Sequence, residues 1–278
     1  MLALAESRGF SVCAFDVPDG EIAVAVLAAA EAASAPVILG VHVAMDLERV
    51  MPGIEAAARR SAAPGAIWCH DVNSAEHAAR AVNLGCNGIS SSSDDATAVA
   101  DGCGIAIAGP GGGAAMVRHQ DTLSHVAAEH LHGAAGGTGY AELMRGVGDA
   151  VRGEAERCLE SAASGGHAAA VLSECPAWSS VEHSIVYNLE ADGHEASVAE
   201  ALMRDGRDIL AAIPGVREVV TGCAVTEDAP YRYCWIIRFA HAAVIESYRD
   251  HPDHVAFANT RFRPVAGGRI SIDFKRIE

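Results

Sequence analysis

The side chains best suited to acid–base chemistry or metal binding are thirteen histidines, and the chain also has eight cysteines and one lysine. The cysteines are scattered and form no CxxC pair, so we expect buried, reduced thiols rather than a disulfide framework. The single lysine, Lys275, lies in a terminal KRIE segment that we expect to be solvated. This excludes an aldolase mechanism that depends on a lysine Schiff base.

Two further motifs match the signatures of binding or catalytic sites only in part. The glycine run Gly109–Gly113 follows a predicted strand but contains neither GxGxxG nor GxxxxGKS/T, which favours a turn over a phosphate cradle. The SSSSDD stretch from Ser90 to Asp95 has no GxSxG context. It is therefore typical of a loop and a helix cap rather than of a nucleophile.

The balance of charge and hydropathy limits the partners. A formal net charge of -16, with no local cluster of basic residues, would repel nucleic acid. The apolar stretches are shorter than the ~20 residues that span a membrane, and the first residues lack the basic segment of a signal peptide. We expect a cytoplasmic protein that acts on a small molecule, with no nucleic-acid or membrane partner.

The first 165 residues alternate short apolar strands with alanine-rich helices, while residues 114–140 show little periodicity. Because successive βα units with short loops build parallel sheets, this pattern predicts a shortened, TIM-barrel-like α/β domain. Strands are predicted at Ser11–Val17, Pro36–Val43, Ala66–Asp71, Gly85–Ser91 and Gly104–Ala108, and helices at Asp19–Ser34, Asp46–Ser61, Ser74–Leu84 and Met144–Ala163. A linker is predicted at 166–179, a segment that begins at Gly166 and contains Pro176.

Residues 180–278 show a different pattern, in the order βαββαβ. Alternating strands and two helices on one face predict an α+β domain of the ferredoxin-like type. The strands are predicted at Val181–Leu189, Val216–Ala224, Tyr231–Phe239 and Arg269–Phe274, and the helices at Ser197–Ile213 and His241–Asp250, with a short one from His254.

This C-terminal segment resembles the stress-responsive dimeric α/β-barrel (Dabb) family over nearly its whole length. The resemblance is carried by five motifs in order: VEHSIVYNL, IPGVREVVTG, YRYCWIIRF, ESYRDHPDHVAF and ISIDF. It implies a homodimer in which two sheets form an eight-stranded barrel. A four-stranded sheet with helices on one face also needs a partner for its other face on physical grounds. We expect a pocket enclosed where the two sheets meet, and no cofactor in this domain.

Within the family, the segment is similar to olivetolic acid cyclase, a plant polyketide cyclase that closes a ring by intramolecular aldol condensation. The resemblance implies a catalytic set of His183, Tyr248 and His254. His254 would be the base that removes a proton next to a carbonyl, Tyr248 the donor to the enolate, and His183 the orienting partner. An alternative is that His251 or His254 only caps the helix that begins after Pro252.

The N-terminal segment resembles the class II fructose- or tagatose-bisphosphate aldolases, through GFSVCAFDV, EAASAPVILGV, PGAIWCHDVNSAEHAARAVNLGCNGISSSS and the helix GVGDAVRGEAERCLESAASGGHA. These enzymes are zinc-dependent barrels, and a full barrel takes ~250 residues. The resemblance places His70 on the family's catalytic acid and Asp71 on a zinc ligand. The candidate metal ligands in this chain are His70, Asp71 and His132, together with His42, since two histidines and a carboxylate suffice for zinc. His70 and Asp71 stand in the inverse of the family's Asp-His order.

Three functional hypotheses follow. The first is aldol-type carbon–carbon bond chemistry or cyclisation on a carbonyl-rich small molecule in the Dabb domain. The second is metal-dependent aldol cleavage in the N-terminal domain, with zinc as its cofactor. The third is a non-catalytic protein that dimerises or binds a ligand through the Dabb domain.

Overall fold

The computed structural model describes residues 1–109, 115–133, 140–163, 178, 180–190 and 196–275. Of the predicted linker at 166–179, it describes Trp178 alone, and the predicted turn at Gly109–Gly113 lies outside the described residues from Pro110 onward. Lys275 is exposed at the end of the last strand, as expected. Among the described cysteines, Cys13, Cys69, Cys86 and Cys103 are buried and free, whereas Cys223 is exposed.

The N-terminal part is a parallel sheet flanked by helices, in agreement with the predicted βα repeat. The strand order is β5-β4-β3-β2-β1-β6, so β1 lies between β2 and the last strand of the sheet, as it would in a closed barrel. The sheet forms half a barrel. Its elements are α1 (Leu2–Arg8), β1 (Val12–Asp16), α2 (Gly20–Ala32), β2 (Val37–His42), α3 (Leu47–Arg60), β3 (Gly65–Val72), α4 (Ala75–Asn83), β4 (Gly88–Ser91), α5 (Asp94–Gly102), β5 (Ala106–Ala108), β6 (Met116–His119), α6 (Thr122–Gly133) and α7 (Tyr140–Ala163).

Side-chain caps start several of these helices. The Asp19 carboxylate, at the start of α2, accepts a hydrogen bond from the Ile22 amide at 2.9 Å. Ser93, from the SSSSDD stretch, accepts a hydrogen bond from the amide of Ala96 at the start of α5. The prediction of a helix cap in that stretch is therefore confirmed.

Side chains on the concave face of the parallel sheet are arranged in layers. At its amino end, α1 packs against Val12, Met116 and their neighbours. In the middle lies Trp68, whose indole nitrogen donates to the Ser90 hydroxyl at 2.8 Å. A Cβ at Gly88 would meet the Trp68 ring at 2.0 Å, so glycine is required there. Polar side chains occupy the carboxyl end, where barrel enzymes carry their active sites.

The C-terminal part is an antiparallel sheet with strand order β10-β7-β9-β8, covered by helices on one face. Its elements are β7 (Val181–Leu189), α8 (Ala196–Ala211), β8 (Val216–Cys223), β9 (Tyr233–Phe239), α9 (Val244–Asp250), α10 (Pro252–Phe257), a π-helical turn (Ala258–Phe262) and β10 (Ala266–Lys275). The predicted βαββαβ order is confirmed. Aromatic rings fill the layer between sheet and helices: Trp235 packs edge-to-face against Phe257 and Phe262.

Specific polar contacts join the two parts. A β-bulge in β8 makes Arg217 an extra residue between Val216 and Glu218, and a bulge redirects a side chain. The Arg217 guanidinium lies 2.7 Å from the buried carboxylate of Glu55 on α3. Asn83 accepts a hydrogen bond from the Gly215 amide at 2.6 Å. These contacts dock the C-terminal sheet against the helical surface of the half-barrel.

Among the helices that the structure describes, none combines the length and the apolar composition needed to cross a membrane.

Candidate functional site

The structure brings the three predicted Dabb residues together around one aromatic ring. His183 lies on β7, Tyr248 on α9 and His254 on α10. The Tyr248 ring centre is 4.4 Å from that of His254 and 6.3 Å from that of His183. Tyr248 is almost fully buried. A phenol flanked by two imidazoles can donate a hydrogen bond or pass a proton between them.

The electrostatic environment keeps two of these groups neutral. Burial lowers the pKa of His254 below its ordinary value; the hydrogen bond to the Arg249 backbone opposes this, and the nearby His183 and arginine charges act in the same direction as burial. Burial raises the pKa of Tyr248 well above its ordinary value. At neutral pH, His254 is therefore an unprotonated imidazole that can accept a proton, and Tyr248 remains a phenol that can donate a hydrogen bond.

The backbone of α9 fixes the orientation of the His254 ring. Its Nδ1 atom lies 2.9 Å from the Arg249 carbonyl oxygen. Because a carbonyl can only accept, the neutral ring carries its proton on Nδ1 and leaves Nε2 as an acceptor. His251, in contrast, caps α10 by accepting a hydrogen bond from the Asp253 amide at 3.3 Å. The alternative role as a helix cap thus falls to His251.

Asp273 is a fourth member of the site, which the sequence analysis missed. It lies on β10 directly opposite His183 on β7, and its carboxylate is 2.6 Å from His183 Nδ1. A carboxylate partner at Nδ1 fixes the tautomer and orientation of an imidazole. The signal in the sequence was the single acidic residue within the apolar motif ISIDF, but the register that brings it to His183 could not be deduced from the motif.

A narrow apolar cavity adjoins these rings. It is lined by Ile185, Leu210, Trp235, Ile237, Tyr248, His254, Phe257, Ala258 and Phe262. Its volume is about 30 Å³, enough for one or two water molecules. Tyr248 and His254 are thus part of an otherwise hydrophobic wall, which is the usual composition of a small-molecule site.

The cavity does not lie where we expected it, between the sheets of two chains. Residues at alternate positions of a strand share a face, and His183 and Ile185 face the covering helices. The opposite face of the sheet is uncovered, and there Ile270, Ile272 and Phe274 are 45%, 47% and 49% exposed. The predicted site is therefore built within one chain, on the other side of the sheet from the face that needs a partner.

In the N-terminal domain, the predicted metal ligands have different partners. Asp71 pairs with His42, with 2.7 Å between Oδ2 and Nε2. The buried His70 ring instead contacts the Ser90 hydroxyl through Nδ1 at 3.2 Å. The side chain of His132 lies outside the described residues. Among the described side chains, no group of three or more His, Cys, Asp or Glu is arranged to hold a metal.

Two polar residues that the sequence analysis did not select, Asp16 and Arg118, lie at the same end of the sheet as His70. Arg118, on β6, donates to the Asp16 carboxylate at the end of β1, with 3.0 Å between Nη2 and Oδ2. Burial, followed by the Arg118 charge, lowers the pKa of His70 to about 4. The Arg118 guanidinium already neutralises the Asp16 carboxylate, and its fixed positive charge would oppose a divalent ion bound beside it. The described residues therefore do not fit the zinc that the aldolase resemblance implies.

A β-bulge shapes the backbone at this point. Between Cys69 and Val72, β3 advances by three residues while β4 advances by two. Asp71 has a positive φ of 59°, a conformation that costs energy for a residue with a side chain. The bulge turns Asp71 toward His42 and leaves His70 in the interior. Bulges of this kind are common next to functional sites.

Comparisons with known proteins agree with this two-part architecture. The antiparallel sheet with its helices defines a ferredoxin-like domain. Residues 181–276 match the stress responsive A/B barrel domain model, so this segment is a Dabb domain. Among solved structures, the chain is similar to a Dabb family protein with a ferredoxin-like fold from Mesorhizobium loti, at 28% identity over 36% of this chain and 99% of that chain, with a TM-score of 0.33.

Two further solved structures are similar to parts of the chain. Hydroxynitrile lyase from Passiflora edulis is 13% identical over 36% of this chain and 95% of that chain, with a TM-score of 0.33. The YdjI aldolase from Escherichia coli K12 is 15% identical over 60% of this chain and 96% of that chain, with a TM-score of 0.53. The N-terminal domain thus has an aldolase-like fold. No curated protein matches the chain.

Proposed function

We propose that the Dabb domain carries out aldol-type carbon–carbon bond chemistry, or ring closure, on a small carbonyl-rich molecule of the polyketide kind. The observation that carries the proposal is the buried Tyr248 ring next to two imidazoles, at the wall of an apolar cavity. Acid–base groups that are desolvated and placed together in a cleft are typical of a site that moves protons.

In the proposed reaction, His254 Nε2 removes a proton from a carbon next to a carbonyl of the substrate. The electrons of the broken C–H bond form an enolate, whose oxygen accepts a hydrogen bond from the Tyr248 hydroxyl. The enolate carbon attacks a second carbonyl of the same molecule, a new C–C bond forms, and the resulting alkoxide takes the proton back from His254. Tyr248 contributes by stabilising the negative charge as it develops.

His183 has a positioning role in this scheme. Its Nδ1 is held by Asp273 at 2.6 Å and its Nε2 lies 3.4 Å from the Ser271 hydroxyl, so both nitrogens have partners on β10. The ring is therefore fixed in the wall beside Tyr248. We infer that it keeps the phenol directed into the cavity, as the orienting partner.

The size of the cavity sets a condition on the substrate. A volume of about 30 Å³ is below the ~300 Å³ or more of typical ligand pockets, so a substrate must move part of the wall. The proposal assigns this movement to the π-helical turn Ala258–Phe262, which supplies Ala258 and Phe262 to the lining. Turns of π-helix occur often at functional sites. The substrate is thus a small molecule that places its carbonyl groups at Tyr248 and His254 and its apolar parts against the rest of the wall, and its entry displaces this turn.

We also propose that the protein is a homodimer through the uncovered face of the Dabb sheet. Three large apolar side chains on β10 are about half exposed there: Ile270, Ile272 and Phe274. Contiguous apolar surface of this kind marks an interface in a soluble protein. A second copy of the same sheet offers a complementary apolar surface, and two-fold pairing is the commonest form of association.

The test measures proton removal directly. Wild-type protein is incubated in D2O with a panel of small ketones and linear poly-β-ketones. Mass spectrometry follows deuterium uptake next to the carbonyl, and liquid chromatography separates the cyclised aldol product, which has the same composition as its substrate. His254→Ala should lower the rate by about 10²–10⁴-fold, the usual contribution of a general base. Because the pKa of His254 is lowered, the exchange rate of the wild type should stay constant as the pH is decreased to 6.5, the ordinary imidazole pKa, and should fall only at lower pH.

His251→Ala is the matched control, since it removes an imidazole three residues away that caps α10. Tyr248→Phe should also slow exchange, with circular dichroism showing that each variant is folded. Full activity in the His254 variant would refute the assignment of the base. Absence of exchange and cyclisation across the panel would favour the non-catalytic dimerisation or ligand-binding alternative.

A further inference from the structure

A second polar cluster lies at the carboxyl end of the parallel half-barrel, away from the Dabb site. It consists of Asp16 on β1, His70 on β3, Ser90 on β4 and Arg118 on β6, which we call the mouth cluster. These positions share the concave face of the sheet with Trp68, which lies in the middle layer and donates a hydrogen bond to Ser90. The mouth cluster is therefore the polar top layer of the half-barrel interior.

The cation of the mouth cluster is the Arg118 guanidinium. It contacts Asp16 through two nitrogens, with Nη2 3.0 Å from Oδ2 and Nε 3.3 Å from Oδ1. The Arg118 side chain is 15% exposed. A planar, two-point contact of this kind holds the charge in one place, in contrast to a solvated arginine on the surface.

His70 directs an unpartnered nitrogen to the same carboxylate. Its Nδ1 contacts Ser90, and its buried Nε2 has no hydrogen-bond partner among the described residues. This Nε2 lies 3.7 Å from Asp16 Oδ1. A Cβ at Gly40 would be 2.8 Å from both atoms, so the glycine keeps open the space between them.

A carboxylate oxygen and an imidazole nitrogen across a small gap are the kind of donors that bind zinc. Here the carboxylate is already neutralised by a guanidinium that carries a fixed positive charge, and a divalent ion beside it would be repelled. We propose that Arg118 takes the place of a metal ion at the mouth of the half-barrel, so that Asp16 and His70 form a metal-free site whose cation is a side chain.

This arrangement limits the chemistry of the N-terminal domain. A guanidinium can donate hydrogen bonds to a carbonyl oxygen, but it cannot lower the pKa of a bound water as zinc does. If Arg118 replaces a metal ion, the mouth cluster should bind a cation once the Arg118 charge is removed, because Asp16 and His70 Nε2 are then left without a positive partner. Zinc itself is then the probe.

The test compares zinc binding by tag-free wild-type protein and variants, after removal of metals with EDTA, using calorimetry and thermal melting with zinc alone. Arg118→Gln should bind zinc at least tenfold more tightly than wild type and melt at a higher temperature with zinc. Arg118→Lys, which retains the charge, should resemble wild type. Arg80→Gln, which breaks the Arg80–Glu48 pair on the surface, is the matched control.

The gain in Arg118→Gln should disappear when His70→Ala is added, which assigns the bound zinc to the mouth cluster. Wild-type protein that binds one zinc and loses it in His70→Ala would overturn the proposal, whether or not the Arg118 variants fold. Folded Arg118→Gln that gains no zinc affinity would overturn it as well, because another feature would then exclude the metal.

Discussion

Arg217→Met should destabilise the protein markedly, since it removes the ion-pair partner of a buried carboxylate and leaves Arg59 as the remaining nearby positive charge. Glu55 is 3% exposed and Arg217 is its ion-pair partner. Removing one partner of a buried pair costs about 3–5 kcal/mol. With a shift of about 2–4 °C per kcal/mol for a chain of this size, a loss of 3 kcal/mol lowers the melting temperature by about 6–12 °C.

The sign of the pH dependence follows from the pKa of Glu55. Burial raises this pKa above its ordinary value of 4.5, and Arg217 opposes the rise. The folded protein therefore holds a proton that the unfolded chain releases, and stability falls as pH increases from about 4.5 through the raised pKa. Without Arg217 the pKa rises further. The destabilisation should be largest near pH 7.5 and smaller at pH 5, where Glu55 is more often protonated.

The assay is thermal melting of four proteins at both pH values: wild type, Arg217→Met, Glu55→Gln and the double variant. Once Glu55 is neutral, the loss of Arg217 should cost little, so the two effects should not add. Arg152→Met, which breaks an exposed pair with Glu156, should change the melting temperature by only about 1 °C. A loss below 2 °C in Arg217→Met, or an equal loss at both pH values, would refute the reasoning.

Two further predictions concern packing and assembly. Gly206→Ala should lower stability by about 1–3 kcal/mol, because the new Cβ would lie 2.4 Å from the Trp235 ring. Thermal melting checks this against Gly153→Ala in open space on α7, which should be neutral or stabilising by about 0.5–1 kcal/mol. Ile272→Lys should convert dimers to monomers in light scattering after gel filtration, whereas Val225→Lys, on a fully exposed loop, should not.

Most of the regular structure could be predicted because it follows local rules. Strands such as Pro36–Val43, found at Val37–His42, are continuous apolar runs that only a doubly covered parallel sheet buries. The four-residue strand Met116–His119 was missed because Arg118 and His119 interrupt its apolar pattern. Helix α1 was missed as well. It packs against the concave face of the parallel sheet, and the first ten residues alone do not indicate that this face exists.

The sites depended more heavily on contacts that are distant in sequence. A family resemblance placed His183, Tyr248 and His254 near each other, and their rings are adjacent in the structure. Asp273 could not be found in this way, because strand register decides which residue faces His183. Arg118 was missed for a similar reason: its partner Asp16 lies 102 residues earlier, and the short strand that brings them together was itself not predicted.

The two faces of the Dabb sheet separate the proposed chemistry from the proposed assembly. If the pocket were enclosed between two sheets, every substitution that broke the dimer would also open the site to water. The rings of Tyr248 and His254 instead lie between the sheet and its covering helices, while Ile272 projects from the other face of the sheet. A direct route from the dimer face to the rings runs through β10, where Asp273 follows Ile272 and points to the opposite side of the sheet. Monomeric Ile272→Lys should therefore retain most of its proton-transfer activity, and the part it loses would measure how firmly Asp273 is held in place by the partner chain.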